Sequence, residues 1–401
     1  MSDAVVIAHP GRQHVYETVL AAQEAGLLRT FMTGVYVRRS HAARIDGVLR
    51  RVRVLRAVAN GALHRSHPLI DPRRVSAFPA HHLAARLTWS LPGGSEVERW
   101  ADRCCDRSIA RAVERLEPAP QIVHSFEGGA LATLGAARRV GAVTILDVPN
   151  AHEEATRALA GCRVRRSRRL TDRVLAERAA ADYLFAPSPF VKSCLVAAGV
   201  DPGRIVLIPY GVDVERFTPA PPRDDDTFRV LFVGQVGLRK GVRELLEAWR
   251  RLALPRAELV LVGAADTDGR ALLREHSGRC VWVDQVPRHE VDGWFWQSDV
   301  FAFPSLAEGS ALVTYEAMAS GLPIVTTPSS GSVARDGLDG FVVPPRDVDA
   351  LVERLRYLHE HPGERRAMGG RARDLMAAHY TWHHYRERVA GAYREILGAR
   401  A

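Results

Sequence analysis

The chain has 401 residues, of which 47% are hydrophobic and 25% charged, and its formal net charge is +9 at pH 7. This composition is that of a folded globular protein and excludes the disordered and fibrous classes, and the length predicts two domains. The sequence contains no run of about 18 apolar residues, the minimum for a helix that spans a bilayer. Five cysteines without a metal-ligand spacing, and a first segment without the basic start of a signal peptide, favour the cytoplasm.

The positive charge is concentrated in two arginine-rich stretches, residues 38–74 and residues 163–173. Such runs are most often solvated helix faces, and three anionic partners stay open beside that interpretation: a membrane surface, a phosphorylated substrate and nucleic acid. Nucleic acid is the weakest of the three, because neither stretch interleaves aromatic residues with its arginines. Apolar residues between the arginines of the first stretch leave peripheral association with the inner face of the cytoplasmic membrane as a hypothesis.

Short apolar segments alternate with helix-length amphipathic segments along the first half of the chain. Strands are predicted for AVVIAH, QIVHSF, VTILDV, DYLFAPS and IVLIPYGV, and helices for QHVYETVLAAQEAGLL and ALATLGAARRVG. This alternation predicts a parallel sheet whose strands are joined by crossover helices. The next segment, DVERFTPAPPRDDDTF, is rich in proline and aspartate and is interpreted as a solvated linker, not as a metal site.

A second series of predicted strands follows the linker, namely RVLFVG, AELVLVG, CVWVDQV, DVFAFPS and PIVTT. We therefore expect an α/β protein with two Rossmann-like, doubly wound domains that face each other across a cleft. The expected domains are residues 1–212 and 213–380, with residues 381–401 forming a helix that completes the first domain. Ligands of open parallel sheets bind outside the carboxyl ends of the strands, so the cleft is the expected site.

The segment EGSALVTYE places Glu308 and Glu316 at the two ends of a small-residue turn that leads into an apolar helix. Ser310 is expected to cap this helix. Gly309, Ser310 and Ala311 are small enough to let an anion approach the helix entrance, where backbone N–H groups lack partners. A diphosphate bound there would leave one hydroxyl-bearing substituent near each carboxylate.

The segment VGQVGLRKGV joins a predicted strand to a helix that begins near Gly241, and it carries Arg239 and Lys240 in the turn. Arginine and lysine at a strand-to-helix turn suit the oxygens of a diphosphate. The glycine spacing matches neither a P-loop nor the G-x-G-x-x-G fingerprint, so the turn alone is weak evidence.

These two segments, together with APSPFVKSCLVAAGVDPGRIVLIPYGVDVERFTP, resemble the nucleotide-sugar glycosyltransferases of family 4, which are retaining enzymes with the GT-B fold. The segment YTWHHYRERVAGAYREI is similar to the family's final helix, and the resemblance covers most of residues 170–390. It implies a bacterial enzyme that moves a sugar from a nucleotide-diphosphate sugar to an acceptor hydroxyl, without an essential metal or other cofactor. The acceptor stays open, with lipid-linked compounds and polysaccharides among the candidates.

The resemblance also implies a role for each motif residue. Glu308 would hold hydroxyls of the donor sugar, Glu316 would hold the ribose, and Arg239 and Lys240 would neutralise the leaving diphosphate. The other expected donor-binding residues are Gly237, Gln285, Gly309, Ser310, Ala311 and Leu312.

Three positions depart from the family's pattern. Gln235 stands where many members carry an arginine, and the glycine pair of the first loop appears as Gly11 alone. The first-domain histidine of the family is best matched by His152, with Asp147 as the competing residue. The residues expected on the acceptor side are Gly11, Arg12 and His14.

Two other classes of function stay open. An epimerase or phosphorylase of the same architecture would act on a sugar nucleotide or sugar phosphate, because a fold does not determine a reaction. A basic nucleic-acid-binding protein would show an affinity that falls steeply with salt.

Overall fold

The structure is a computed structural model that describes residues 3–11, 14–36, 66–81, 94–151, 168–221, 223 and 225–399. Its strands form two β-sheets. The first sheet contains β1 (Val5–His9), β2 (Leu28–Thr33), β3 (Val75–Ala77), β4 (Ile122–Phe126), β5 (Val143–Asp147), β6 (Tyr183–Ala186) and β7 (Ile205–Leu207). The second contains β8 (Phe228–Val233), β9 (Ala257–Val262), β10 (Val281–Val283), β11 (Val300–Phe303), β12 (Ile324–Thr326) and β13 (Gly340–Val342).

Both sheets are parallel at every strand pair, as the alternation of strand and helix segments predicts. The strand orders are β3-β2-β1-β4-β5-β6-β7 and β10-β9-β8-β11-β12-β13. The order reverses between β1 and β4 in the first sheet and between β8 and β11 in the second. The predicted doubly wound α/β class is confirmed, and the position where the strand order reverses is where sheets of this class bind ligands.

Helices connect successive strands and cover the sheets. Those of the first half are α1 (Val15–Glu24), α2 (Gly94–Glu114), α3 (Leu131–Arg139), α4 (Arg168–Ala180) and α5 (Pro189–Ala197). Those of the second half are α6 (Val242–Leu252), α7 (Thr267–Glu275), α8 (Val291–Trp296), α9 (Leu312–Ala319), α10 (Val348–Glu360), α11 (Pro362–His379) and α12 (Trp382–Gly398).

Strand β1 shows how both faces of the first sheet are buried. Val5 and Ile7 point into a cluster that includes residues of α1 and α12, whereas Val6 and Ala8 point into a second cluster with residues of α2 and α3. A strand that is covered on both faces can be apolar at every position. This explains why AVVIAH is a continuous hydrophobic run instead of an alternating one.

The chain passes between the two sheets twice, and the two crossings lie side by side. The Val212 N–H donates to the Tyr380 carbonyl at 2.8 Å, and Val212 pairs with Thr381 as a parallel bridge. After this crossing, α12 packs against α1, where the hydroxyls of Tyr385 and Thr18 are 2.9 Å apart. The last helix therefore belongs to the core of the first sheet.

Residues 38–65 of the first arginine-rich stretch and residues 163–167 of the second lie outside the described residues. Arg173, in the described end of the second stretch, is not a solvated side chain. Its guanidinium lies 2.6 Å from the Asp106 carboxylate and 3.0 Å from that of Glu177, and both carboxylates are buried. For Arg173 the interpretation as a solvated face is therefore wrong. Among the described helices, none is long and apolar enough to cross a membrane.

Gly211 provides a test of the paired crossings. A Cβ at this position would lie 2.5 Å from the Trp382 nitrogen and 2.6 Å from the Thr381 carbonyl carbon. Because backbone cannot move aside as a side chain end can, we expect Gly211→Ala to lower the free energy of unfolding in urea by about 1–3 kcal/mol. Gly391→Ala, within α12 and with open space around its Cβ, is the matched control and should be neutral or stabilising. Equal stability of the two variants would contradict this packing.

Candidate functional site

The first wall of the site is the turn after β8, at the carboxyl edge of the second sheet. Residues Leu238–Lys240 form one turn of 3-10 helix, and Gly241 follows with φ of 69°. A Cβ at Gly241 would lie 2.0 Å from the Pro304 carbonyl oxygen, so only glycine lets the turn approach the end of β11 this closely. The Leu306 N–H donates to the Arg239 carbonyl at 2.9 Å and ties the two loops together.

The second wall is the loop between β11 and α9, which is held by the loop after β12. The Glu308 N–H donates to the Ser329 carbonyl at 2.8 Å, and the Ala311 N–H donates to the Ser330 carbonyl at 3.1 Å. A Cβ at Gly331 would lie 2.2 Å from the Gly309 carbonyl oxygen, so the two backbones are in direct contact. The backbone around Glu308 is therefore fixed on both sides.

Glu308 lies between the two cations that the sequence places in the β8 turn. Its Oε1 accepts from Lys240 Nζ at 2.6 Å and from the Arg239 guanidinium, which also donates to the Ala307 carbonyl at 2.9 Å. Lys240 Nζ lies 5.0 Å from the centre of the Phe303 ring, and burial lowers the pKa of Lys240 although Glu308 opposes this effect. The cluster keeps one net positive charge at the entrance of α9.

Helix α9 begins at Leu312, and the expected cap is wrong. The residue before the helix is Ala311, which has no capping side chain, and the Ser310 hydroxyl instead contacts the Gly331 carbonyl and the Tyr315 hydroxyl, each at 3.1 Å. The Ala311 N–H is also occupied by Ser330, so it is not available to a ligand. In the first helical turn the Thr314 N–H donates to the Ala311 carbonyl at 2.9 Å, which leaves the N–H groups of Leu312 and Val313 for an anion.

Glu316 lies in the second turn of α9, and its environment differs from that of Glu308. Its side chain is 14% exposed, and its nearest cation is the exposed Arg288, at 3.5 Å. Burial raises the pKa of Glu316 to about 7, although Arg288 and Arg216 favour the charged form. This carboxyl group therefore changes its charge near neutral pH.

The other residues expected on the donor side lie in loops at the same edge. A Cβ at Gly237 would lie 2.2 Å from an oxygen of Asp266, so the β8 turn packs closely on the start of α7. Gln285 is exposed in the loop after β10, where its N–H donates to the Asp284 carboxylate at 2.8 Å. Gln235 is exposed in the β8 turn.

The facing wall comes from the first sheet, where β1 and β5 end. His14 Nε2 lies 2.9 Å from Asp147 Oδ2, and both side chains are almost fully buried. Gly11 lies in the loop between β1 and α1, against the ring of His9. The structure thus brings together His14 and Asp147, which are 133 positions apart, whereas Arg12 and His152 lie outside the described residues.

A direct contact joins the two walls through residues that no sequence motif had brought together. The Ser188 hydroxyl donates to the Gly309 carbonyl, and a Cβ at Gly309 would lie 1.6 Å from the Pro149 carbonyl oxygen. The available signal was the Ser-Pro pair in APSPFVK, which is typical of a helix start. In the described part of the chain, no group of three or more His, Cys, Asp or Glu side chains is placed to hold a metal ion.

Two family models match consecutive parts of the chain. The model described as Glycosyltransferase Family 4 matches residues 51–216, and the model described as Glycosyl transferases group 1 matches residues 227–361. Together they cover most of the chain and leave out little besides its two ends.

Curated relatives match over a shorter range. D-inositol 3-phosphate glycosyltransferase from Mycobacterium avium is 30% identical over 218 residues, which are 49% of this chain and 50% of that protein. A GDP-mannose-dependent monoacylated alpha-(1-6)-phosphatidylinositol monomannoside mannosyltransferase from Corynebacterium glutamicum is 30% identical over 45% of this chain and 54% of its own length. The chain thus spans about half the length of these relatives.

Solved structures match the whole chain at low identity. Sucrose-phosphate synthase from Thermosynechococcus elongatus superposes with a TM-score of 0.69 at 18% identity, over 98% of this chain and 99% of that one. HepE from Anabaena, solved in complex with UDP, superposes with a TM-score of 0.66 at 13% identity, over 98% and 100%. The fold that this chain shares with them, two Rossmann-like parallel sheets, is GT-B.

The raised pKa of Glu316 leads to a prediction about stability. Because the pKa is about 7 in the folded protein and near the ordinary 4.5 in the unfolded chain, the folded state binds the proton more tightly. Ionisation therefore destabilises the folded protein as pH rises from 4.5 through 7. We expect Glu316→Gln to be more stable than the wild type at pH 8.5, by up to about 3 kcal/mol, and to lose this advantage at pH 4.5.

Urea unfolding at the two pH values measures this difference. Glu353→Gln, at an exposed position on α10, is the control and should change stability little at either pH. A Glu316→Gln protein whose stability relative to the wild type does not depend on pH would show that the carboxyl group titrates normally.

Proposed function

Because the chain belongs to family 4 of the glycosyltransferases, we propose that it transfers a sugar from a nucleotide-diphosphate sugar to an acceptor hydroxyl. The proposal includes retention of configuration at the anomeric carbon and a reaction without an essential metal. HepE, a structural neighbour, was solved with UDP and with UDP-glucose, which supports a sugar nucleotide as the donor.

The observation that carries the proposal is the position of Glu308 between Arg239 and Lys240 at the start of α9. This cluster lies where the order of the second sheet reverses, between the loops that follow β8 and β11. It combines a carboxylate for sugar hydroxyls with two cations and a helix N-terminus for a diphosphate. A donor that lies across the cluster can use all of these groups at once.

In the proposed reaction, the bond between the anomeric carbon and the diphosphate oxygen breaks, and a bond from that carbon to the acceptor oxygen forms. The acceptor proton passes to the leaving phosphate oxygen on the same face of the sugar. Negative charge grows on the diphosphate as it leaves, so Arg239, Lys240 and the N–H groups of α9 stabilise the transition state more than the bound donor. Both cations contact Oε1 of Glu308, which assigns Oε2 to the sugar hydroxyls.

Glu316 is assigned to the ribose. The distance along α9 between the helix entrance and this side chain suits a nucleoside whose diphosphate lies at the entrance. Ribose hydroxyls donate to an ionised carboxylate, and the partial burial that raises the pKa of Glu316 to about 7 makes those bonds valuable. Base contacts fall to the loop after β10, which contains Gln285.

The loop between β11 and α9 is called the donor loop below. The acceptor is assigned to the first sheet, where Gly11, His14 and Asp147 lie opposite the donor loop. We propose that the His14 ring, oriented by Asp147 at 2.9 Å, contacts the acceptor. The acceptor itself is proposed to be membrane-borne, with the enzyme in the cytoplasm and bound peripherally to the anionic inner face. The phosphatidylinositol monomannoside in the name of one relative supports a lipid acceptor, and so does the arginine content of residues 38–74.

A thermal-shift panel of sugar nucleotides tests the function directly. The correct donor should raise the melting temperature at concentrations well above its dissociation constant. With that donor, proton NMR follows the anomeric signals and separates transfer with retention from inversion and from epimerisation of the donor. Activity that survives EDTA supports a metal-independent reaction. If no sugar nucleotide stabilises the protein or is consumed, the proposed function is wrong.

Lys240 provides the sharpest test of the leaving-group site. We expect Lys240→Ala to lower kcat by about a hundredfold, because it removes a buried positive charge that faces the departing diphosphate. Arg243→Ala is the control, because Arg243 lies one turn away on the exposed side of α6. Initial rates at saturating donor measure both variants. Near-normal turnover of Lys240→Ala would show that this turn is not part of the active site.

Membrane association is tested with the full chain and vesicles. We expect co-sedimentation with anionic vesicles at low salt, weaker binding at high salt, and little binding to neutral vesicles, since each arginine near an anionic surface contributes about 1 kcal/mol. Equal, negligible sedimentation with both vesicle types would contradict a peripheral membrane enzyme.

A further inference from the structure

A hydrogen bond between Ser188 and Gly309 connects the first sheet to the second. Ser188 follows β6 of the first sheet and lies at the start of α5, where its hydroxyl oxygen accepts from the Val191 N–H at 3.2 Å. The same hydroxyl donates its proton across the cleft to the Gly309 carbonyl. Ser188 is fully buried, so both roles are performed without water.

Gly309 is held from both sides of the cleft. A Cβ at this position would lie 1.6 Å from the Pro149 carbonyl oxygen, in the loop that follows β5 of the first sheet. On the other side, Gly331 of the second sheet packs so closely that its own Cβ would lie 2.2 Å from the Gly309 carbonyl oxygen. The lack of a side chain at Gly309 is therefore required for the two halves of the molecule to meet here, where each half is one sheet with the helices that cover it.

The orientation of this carbonyl matters for the donor loop. Because the peptide group is planar and trans, the direction of the Gly309 carbonyl also sets the direction of the Ser310 N–H. Gly309 follows Glu308 directly, and two residues, Ser310 and Ala311, separate it from the start of α9. A fixed Gly309 peptide thus restricts the backbone on both sides of the groups assigned to the sugar and the diphosphate.

We propose that Ser188 is a positioning residue that latches the two halves together through the Gly309 carbonyl and orients the donor loop for transfer. The inference rests on the proposed function for its effect on rate. The latch acts on the arrangement of the loop and does not touch the nucleotide. Its loss therefore lowers kcat and leaves binding of the nucleoside diphosphate to the second half unchanged.

Ser188→Gly is the test variant, because glycine also starts helices at a cost of only a few tenths of a kcal/mol but has no hydroxyl to donate. Ser188→Thr keeps the hydroxyl and is the rescue variant. Ser193→Ala is the matched control on the same helix, since the hydroxyl of the exposed Ser193 donates within α5, to the Phe190 carbonyl at 2.8 Å. Gly309→Ala disrupts the same contact from the side of the second sheet, because the added Cβ would overlap the Pro149 carbonyl.

Small-angle X-ray scattering in solution tests the latch without any substrate, because it measures the radius of gyration. We expect Ser188→Gly and Gly309→Ala to show a larger radius of gyration than the wild type, and Ser188→Thr and Ser193→Ala to match the wild type. A Ser188→Gly protein that scatters as the wild type does would overturn the latch, even if no sugar nucleotide proved to be a substrate. A wild type that transfers no sugar would overturn the proposed function alone.

Kinetics then separate positioning from folding. With the donor from the panel, kcat of Ser188→Gly should fall about tenfold to a hundredfold, the scale of leaving one buried carbonyl without its partner. The dissociation constant for UDP and the melting temperature should stay at the values of Ser193→Ala, and Ser188→Thr should restore most of kcat. An unchanged kcat, or a loss of kcat that follows a lowered melting temperature and is not restored by threonine, would refute the positioning role.

Discussion

Close backbone packing at the carboxyl edge of the second sheet is the constraint on which the site depends. The loops after β8, β11 and β12 touch at Gly241 and Gly331, where any side chain would overlap the carbonyl of Pro304 or of Gly309. Since the three loops are fixed to one another, Glu308 is fixed between Arg239 and Lys240 without an ordered ligand. Preorganised charges of this kind cost no rearrangement during a reaction, which is why such packing suits a site that stabilises a leaving anion.

The two glutamates of EGSALVTYE are chemically identical and similarly buried, but different neighbouring side chains give them different electrostatic environments. Glu308 is buried but directly paired with two cations, so its desolvation is compensated by short ion pairs. Glu316 is equally buried, yet its closest cation is the exposed Arg288, at 3.5 Å, and its pKa rises to about 7. The carboxyl group of Glu316, only partly compensated by Arg288 and Arg216, lowers the stability of the fold, and a cost of that kind is expected where a ligand supplies further partners.

The fold was predictable because buried parallel strands leave a strong pattern, as AVVIAH and RVLFVG illustrate, and the spacing of Glu308 and Glu316 in EGSALVTYE marks the loop to which we assign the donor. Contacts between distant segments were not predictable in this way. The pairing of His14 with Asp147 and the contact of Ser188 with Gly309 depend on how sheets and loops meet, which no local periodicity records. Ser310 failed as a predicted cap because α9 begins at Leu312, one residue later than expected, so Ala311 occupies the cap position and the Ser310 hydroxyl donates to the Gly331 carbonyl of another loop.

The two chain crossings and the Ser188 contact join the two halves. The crossings are tied at Val212 and Tyr380, so the two chain connections between the sheets lie next to each other. The polar contact at Gly309 is a single hydrogen bond, and one such bond contributes only about 1 kcal/mol net. The backbone packing of Gly309 on Pro149 adds to this bond, so the contact between the walls combines one hydrogen bond with close packing. A donor held on the second sheet and an acceptor held on the first would add contacts with both walls and so favour the arrangement in which the walls meet.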